Sequence, residues 1–327
     1  MNVSICYEPP LKEHDADLQD ILKQAAFIRR CLTTAGYSVK DIVYEGDPVS
    51  FFQKVKEARP SVLWNLFETF NGAEEKLNIG AALLELTGVP YIGSRLDTIT
   101  ICTDKRTVKG LLNLAGIKTP EMYPSFRSGK WILKPSKLHG SVGITERSVI
   151  DADSEERLLS EFLKYPKEYE MFAERYVDGR EFSASLLDTG NGLETIAVSE
   201  MLFTDYQRET PKILTFNAKW AEESFEYKNS VRSFDFNKSD IPLIEEMGRI
   251  AGKAAFLLKV SGFARIDFRL DTDNQIWVID VNLNPCMGED AGFVAACEYA
   301  GITREEAVSY IIKAALSNCA KKPLLTP

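Results

Sequence analysis

Residues 263–288, FARIDFRLDTDNQIWVIDVNLNPCMG, carry the clearest strand pattern in the chain. Period-two alternation divides it into two strands, 263–270 and 275–282, joined by the turn-forming Asp271-Thr272-Asp273-Asn274. One face is expected to carry Ala264, Ile266, Phe268 and Leu270 opposite Trp277, Ile279 and Val281. The other presents Arg265 and Asp267 opposite Asp280 and Asn282. A slip of one residue would set apolar against polar, so the register is specified. Two carboxylates, one amide oxygen and one guanidinium then gather on one side of a hairpin. Hard oxygen donors with positions left for phosphate and water suit Mg²⁺. The bland alternative is a solvated face held by salt bridges.

The 327 residues exceed one simple core, and two or three compact units are expected. A net charge of −9 argues against nucleic acid and anionic membrane as partners, both of which need a basic surface. Cysteines at 6, 31, 102, 286, 297 and 319 form no CxxC pair, which fits reduced, buried thiols in a cytoplasmic protein. No stretch reaches membrane-spanning length. With His14 and His139 as the only histidines, a His-ligated zinc site or a Ser-His-Asp triad is disfavoured, and chemistry must rest on carboxylates, Lys and Arg.

Residues 1–95 alternate strands (Val3–Tyr7, Ser38–Tyr44, Ser61–Leu66, Val89–Ile92) with helices (15–35, 48–58, 74–86), the pattern of a parallel sheet covered on both faces. Ligand contacts belong at its strand carboxyl ends: Tyr7-Glu8, Phe67-Glu68 and Gly93-Ser94. Pro9-Pro10 stands where a dinucleotide fingerprint would begin, which disfavours a Rossmann dehydrogenase. One helix is expected over 98–116, carrying Lys105 and Lys109 and closed by a C-cap glycine and a proline. Strands dominate from there to 202, and Lys134 sits inside the apolar strand Trp131–Pro135, where it must snorkel or meet an anion. The small-residue loop 136–143 offers backbone N–H groups and the Ser141 hydroxyl to phosphate. Glu174, Arg175, Tyr176 and Val177 form a linker that presents backbone donors and acceptors, or else an ordinary edge strand. Residues 203–240 lack clean periodicity and read as a long functional lid centred on Phe216–Trp220. A helix over 240–258 precedes the hairpin, and two more, near 290–300 and 303–317, follow it.

Taken together the motifs resemble the ATP-grasp superfamily, and within it the D-alanine–D-alanine ligase-like branch. They are VPYIGS at 89–94, DK at 104–105, AGIKTP at 115–120, ILKPS at 132–136, GSVG at 140–143, Glu174, GREF at 179–182, AKW at 218–220, RIDF at 265–268 and DVNLNP at 280–285. The resemblance implies an α/β (α+β) ATP-grasp fold in three domains. These are an N-terminal parallel α/β sheet (1–97), a small β-rich lid domain (98–189) and a C-terminal domain with an antiparallel sheet (190–327). It implies that Lys105 and Lys134 contact the ATP phosphates, Ile132 lines the adenine cleft, Glu174 to Val177 form the adenine-reading hinge and Glu181 takes the ribose hydroxyls. Lys219 would close over the γ-phosphate, and Asp267, Asp280 and Asn282 would hold two Mg²⁺ ions, with Mn²⁺ an alternative. Arg265 would steady the oxyanion formed when an amine attacks an acyl phosphate, and Ser141 joins Arg265 and Lys219 among the catalytic candidates. Members of the branch are often dimeric through the first domain.

The departures concern substrate. The glutamate-bearing segment after the first strand reads YEPPLKEHD, with Glu8 or Glu13 as substitutes, and the His-Gly segment after the third strand reads FETFNG at 67–72. The family's serine-leucine pair corresponds to Ala291-Gly292, and the glutamate bridging its metals is Asp280. Glu8, Glu68, Asn284 and Gly288 are the candidate substrate contacts. The expectation is an ADP-forming acid–amine ligase acting on small-molecule acids and amines other than two D-alanines. A true D-alanine–D-alanine ligase and an ATP-binding protein without turnover are the alternatives.

Overall fold

Three sheets carry the architecture, and the computed structural model describes residues 1–10 and 16–320. Glu13 and His14 lie outside the described residues. The first unit contains β1 (Asn2–Tyr7), α1 (Ala16–Thr34), β2 (Ser38–Val43), α2 (Pro48–Ala58), β3 (Val62–Asn65) and α3 (Leu77–Leu86). Its sheet is parallel, in the order β2-β1-β3. Sequence places the helix boundaries well where the cap is explicit. Asp47 accepts hydrogen bonds from the Val49 and Ser50 N–H groups while Pro48 opens α2. The fourth strand expected at Val89–Ile92 is reduced to one bridge, Leu63 with Tyr91. Pro90 has no N–H to extend the ladder, and Gly93, at φ +102, turns the chain away.

The helix expected over 98–116 is two helices, α4 (Leu96–Thr103) and α5 (Lys105–Leu114). Asp104 between them is extended (φ −96, ψ 108), and its carboxylate caps α5 by accepting the Arg106 N–H. The break sets Lys105 and Lys109 one turn apart at the start of a new helix, on one face of it.

The central sheet is antiparallel, in the order β5-β4-β6, built from β4 (Gly129–Pro135), β5 (Val149–Ala152) and β6 (Met171–Arg175), with α6 (Glu155–Phe162) packed on it. Then follow β7 (Arg180–Asp188), β8 (Leu193–Phe203), α7 (Phe216–Trp220), α8 (Phe225–Lys228), β9 (Ser230–Ser233), α9 (Ile241–Leu257), β10 (Phe263–Leu270), β11 (Ile276–Asn282), α10 (Gly292–Tyr299) and α11 (Arg304–Ala320). The five strands pair antiparallel as β11-β10-β7-β8-β9. Because β7 pairs with both β8 and β10, the change of sheet falls at 176–179, ahead of the expected boundary at 189. The 203–240 stretch holds two short helices and the edge strand β9.

Gly179 sits at that change of sheet with φ +147, and a Cβ there would lie 2.0 Å from the Leu270 backbone oxygen. Gly179→Ala is expected to cost about 1–3 kcal/mol in backbone strain alone, seen as a lower urea midpoint.

The hairpin differs from the reading in one strand. Arg265 pairs with Asn282, Ile266 with Val281 and Asp267 with Asp280, but Phe268 then pairs with Val278, leaving Ile279 as an extra residue. Val281 is in the core as expected, but the β-bulge puts Ile276 and Val278 there where alternation had expected Trp277 and Ile279. Bulges of this kind re-aim side chains beside functional sites. The polar row of Arg265, Asp267, Asp280 and Asn282 survives because it lies on one side of the bulge.

The first sheet is covered on one face by a cluster including Phe51, Val55, Phe67 and Leu84. The other face packs into a larger core that joins Val3, Ile5 and Trp64 to Phe263, Phe293, Val308 and Ile311.

Candidate active site

Between the central and five-stranded sheets lies a cleft of about 1170 Å³. Lys105, Ile132, Lys134, Glu174, Arg175, Tyr176, Val177, Glu181, Ser141, Lys219, Arg265, Asp267, Asp280, Glu68 and Gly288 all line it. Sheet register explains why the floor is polar. Asp267 lies opposite Ser183 and Arg269 opposite Glu181, so β7 and β10 turn hydroxyl, carboxylate and guanidinium groups to the same side.

The most buried charges form a node that sequence reading had only in part. Glu174, 1 % exposed, receives Lys134 Nζ at 2.6 Å and Lys109 Nζ at 2.7 Å. Lys109 also donates to the carbonyl of the bulge residue Ile279 at 2.9 Å. Burial alone would raise the Glu174 carboxyl, yet the two ammonium groups outweigh it and hold it below the usual range. The Glu174 side chain is thus committed to the lysines. What the 174–177 hinge offers a base is backbone, together with the Tyr176 ring, over which Arg269 lies at 5.8 Å. Arg175 points elsewhere: its guanidinium lies 5.3 Å from the centre of the Trp131 ring and donates to the Arg127 and Ser128 carbonyls. Glu181 is paired with the buried Arg269 at 2.6 Å.

Lys105 enters from α5, its Nζ donating to the Leu138 carbonyl at 2.5 Å and its N–H to the Ser136 carbonyl at 2.9 Å. That anchors the 136–143 loop over the cleft. On the floor Arg265 forks onto Asp267 at 2.8 and 3.0 Å, and Ser183 donates to the same carboxylate at 2.7 Å. Asp280 accepts the Val281 N–H at 3.0 Å and has no ion-pair partner among the described residues. Burial would raise its carboxyl, but the ammonium groups of Lys105, Lys134 and Lys109 bring it down to about 2. Asn282 accepts the Asn284 N–H at 2.9 Å. Two carboxylates and one amide oxygen on neighbouring register positions are hard donors, and the Asp280 carboxylate has no competing cation bonded to it. That set fits Mg²⁺, which keeps water and draws its other oxygens from phosphate.

The lid meets the loop through three hydrogen bonds. Trp220 Nε1 donates to the Gly140 carbonyl at 2.9 Å, Ser141 Oγ to the Leu214 carbonyl at 2.8 Å, and the Phe216 N–H to the Ile144 carbonyl at 3.1 Å. Ser141, at φ +64, therefore spends its hydroxyl on the lid backbone. The Lys219 ammonium makes no hydrogen bond and no ion pair among the described residues. Burial, then the charge of Arg265, pull its ammonium below the usual value, while Asp267, Asp280 and Glu181 support it.

A second cavity of about 120 Å³ adjoins the first, lined by Phe67, Glu68, Gly93, Ser94, His139, Trp220 and Asn284 among others. Two of the three expected strand ends therefore do meet a cavity. Tyr7-Glu8 does not: Glu8, 4 % exposed, accepts from Thr69 Oγ1 at 2.7 Å and from the Gly72 N–H at 3.2 Å, and lines neither cavity. Its carboxylate holds the 69–72 turn. Glu68 accepts from Gln24 Nε2 at 3.4 Å. The buried His139 ring is driven down to about 3 by burial and by Lys105, and so is neutral beside the lysines.

Lys109 and Arg269 were not among the expected site residues. Lys109 was legible as the residue one turn after Lys105, whereas Arg269 becomes visible only once β7 and β10 are paired.

Comparison with known proteins agrees with this geometry. A family model described as D-ala D-ala ligase C-terminus matches residues 118–313. The D-alanine--D-alanine ligase of Thermotoga maritima is 26% identical over 302 residues, covering 90% of this chain and 92% of that protein. That of Aquifex aeolicus is 24% identical over 303 residues, covering 89% and 94%. Among solved structures, the D-alanine--D-alanine ligase from Bacillus anthracis complexed with ATP superimposes with a TM-score of 0.71 at 17% identity, over 99% of this chain and 100% of that one. VanG D-Ala:D-Ser ligase from Enterococcus faecalis gives 0.67 at 14%, over 96% and 99%. Fold and cleft define the class, an ATP-grasp enzyme: an ADP-forming ligase that makes C–N bonds. Within that class, the chain belongs to the D-ala D-ala ligase family.

Proposed function

We propose that this enzyme joins a carboxylic acid to an amine through an acyl phosphate, and that its substrates differ from two D-alanines. The observation that carries the reading is the meeting of the Lys219 ammonium, unpaired among the described residues, with Arg265, Asp267 and Asp280 in one cleft. The acid's carboxylate oxygen attacks the γ-phosphorus of ATP, the bond to the β-phosphate oxygen breaks, and ADP leaves. The amine then attacks the acyl carbon, inorganic phosphate departs, and the ammonium proton is lost to give the amide. Lys105 and Lys134 hold the nucleotide phosphates, and Lys219 follows the transferring phosphoryl group from the lid. Arg265 donates to the oxyanion on the acyl carbon. Tyr176, Val177 and Ile132 enclose the base, and Glu181 takes the ribose hydroxyls. Asp267, Asp280 and Asn282 would hold Mg²⁺, which when bound offsets the charge on the phosphate oxygens. Such positioning of cations where charge develops is the main demand of phosphoryl transfer.

Relatives that carry the name D-alanine--D-alanine ligase favour a second reading, in which both substrates are D-alanine. The departures at FETFNG and Ala291-Gly292 favour the first. ADP release measured over paired acids and amines, with mass spectrometry of the product, separates them. We expect an amide product from a mixed pool and little ADP with millimolar D-alanine alone. A dominant D-alanyl-D-alanine product would reverse the preference, and no ADP from any pool would leave a nucleotide-binding protein without turnover.

A further inference from the structure

The smaller cavity beside the cleft is left without a task by the ligase reading. Its walls come from separate parts of the chain: Phe67 and Leu77 from the first unit, Ile99 and Cys102 from α4, and Val281 and Leu283 from the end of the hairpin. These present carbon and thiol surface. Four polar side chains among the lining are turned into the protein instead. Thr69 Oγ1 donates to the Glu8 carboxylate at 2.7 Å, and Thr103 Oγ1 to the Ile99 carbonyl at 2.8 Å. Asn65 Oδ1 accepts the Phe67 N–H at 3.0 Å, and Ser94 Oγ accepts the Ser261 N–H at 3.3 Å. Polar groups already bonded within the fold offer a guest little in exchange for its water, so the space favours hydrocarbon.

Position says whose hydrocarbon. Glu68, Gly140 and Trp220 line both the cavity and the cleft, so the two meet there. Val281 follows Asp280 in the chain and Leu283 follows Asn282, which sets the cavity beside the strand that carries the Mg²⁺ donors proposed above. Trp220 follows Lys219 on α7, and its ring packs on Gly140, where a Cβ would lie 3.7 Å from it. One short helix thus carries both the lysine assigned to the γ-phosphate and an indole wall of the cavity. The group that must stand in line with the γ-phosphate is the carboxylate of the acid. What hangs from the carbon next to that carboxylate is then what reaches the cavity. His139, next to Gly140, lines it too, and its Nε2 is buried without a partner among the described residues. One polar atom on the acid, beside the carboxyl, would satisfy it.

We propose that this cavity is the side-chain pocket of the acid that the enzyme phosphorylates, and that it selects a branched aliphatic group of valine or leucine size over a methyl. At about 120 Å³ the space is somewhat smaller than an apolar cavity of roughly 150 Å³ that holds benzene, and it suits about three or four carbons. A methyl group would leave most of these walls without contacts. The assignment rests on the ligase reading above.

Hydroxylamine in place of the amine reads the identity of the acid without involving the acceptor. Its nitrogen attacks the acyl carbon, the bond to the phosphate oxygen breaks, and inorganic phosphate and a proton leave a hydroxamate. Acids are offered as α-amino acids of both hands and as the same acids without the amine. Alanine, valine and leucine frames are set against threonine and asparagine as polar isosteres. ADP and hydroxamate formation are expected to favour the valine or leucine frame at least about tenfold in kcat/KM over the alanine frame, and similarly over its polar isostere. Leu77→Phe narrows the cavity from the first unit and is expected to raise the KM for the branched acid about tenfold. It leaves the KM for ATP and the rate with the alanine frame unchanged. Cys102→Leu narrows the cavity from α4 and gives the same split. Melting temperatures show which variant is folded; either one carries the comparison, and the wild-type preference is decisive without them. An alanine frame or a polar isostere used as well as the branched acids, or a folded variant with unchanged acid preference, overturns the pocket and leaves the ligase reading standing. No ADP with any acid overturns both.

Discussion

Replacing Glu174 by glutamine should lower the unfolding free energy by about 3–5 kcal/mol, the cost of leaving buried charge without its partner. Two lysines converge on this one carboxylate, and Lys109 is as buried as Glu174 itself. The pH dependence of the loss identifies its cause. In the native protein the Glu174 carboxyl is held below its usual range. Its stabilisation is therefore present above the unfolded carboxylate pKa and is lost as pH falls through the lower folded value. The glutamine variant lacks that acid limb. Lys109 behaves in the opposite way, because burial pulls its ammonium down and the variant removes the main charge supporting it. The folded variant sheds that proton before the unfolded chain does, so its stability climbs with pH in the alkaline range. Urea titrations of both proteins from acid to alkaline pH would show these slopes; parallel curves would mean that the node carries little energy.

Arg265→Ala is expected to slow turnover about 10²–10³-fold, equivalent to roughly 3–4 kcal/mol of lost oxyanion stabilisation. Binding of Mg·ATP should persist, since Lys105 and Lys134 are untouched. Arg265 also forks onto Asp267, so the substitution has a structural component, but Ser183 still donates to that carboxylate. Arg265→Lys separates the two effects: it keeps a cation near Asp267 and loses the fork aimed at the acyl carbon. Steady-state ADP release with the pool that supports wild-type turnover, set beside the melting temperature, gives the comparison. A variant within threefold of wild type would remove Arg265 from the chemistry.

The parts of this site carried by local pattern were legible in the sequence. Alternation in 263–270 displays Arg265 and Asp267 unambiguously, and a lysine inside Trp131–Pro135 announces an anion. The second hairpin strand misled because Ile276, Trp277, Val278 and Ile279 are all apolar, so over that run period two fits both registers. The break at Asp104 was hidden because neither glycine nor proline marks the junction of α4 and α5. Short helices such as α7 and α8 fall below the length at which helical periodicity accumulates, so the lid read as featureless. Glu8 was placed at a ligand-binding strand end by topology, but only coordinates reveal that its oxygen faces Thr69. Long-range pairs such as Arg269 with Glu181 and Lys109 with Glu174 depend on register between distant strands, which no window of sequence contains.

The packing of α11 against the first sheet has a consequence for synthesis. Val3, Ile5 and Trp64 share one core with Val308, Ile311 and Ile312. A ribosome delivers the first strand and the helix that shields it some 300 residues apart, which at about 5–20 residues per second is a wait of tens of seconds. During that interval the nascent first unit keeps an apolar face open, covered in part by α1. The opening segment of this chain is thus less an independent module than the last wall to be closed, with chaperone capture the natural guard of its unfinished side.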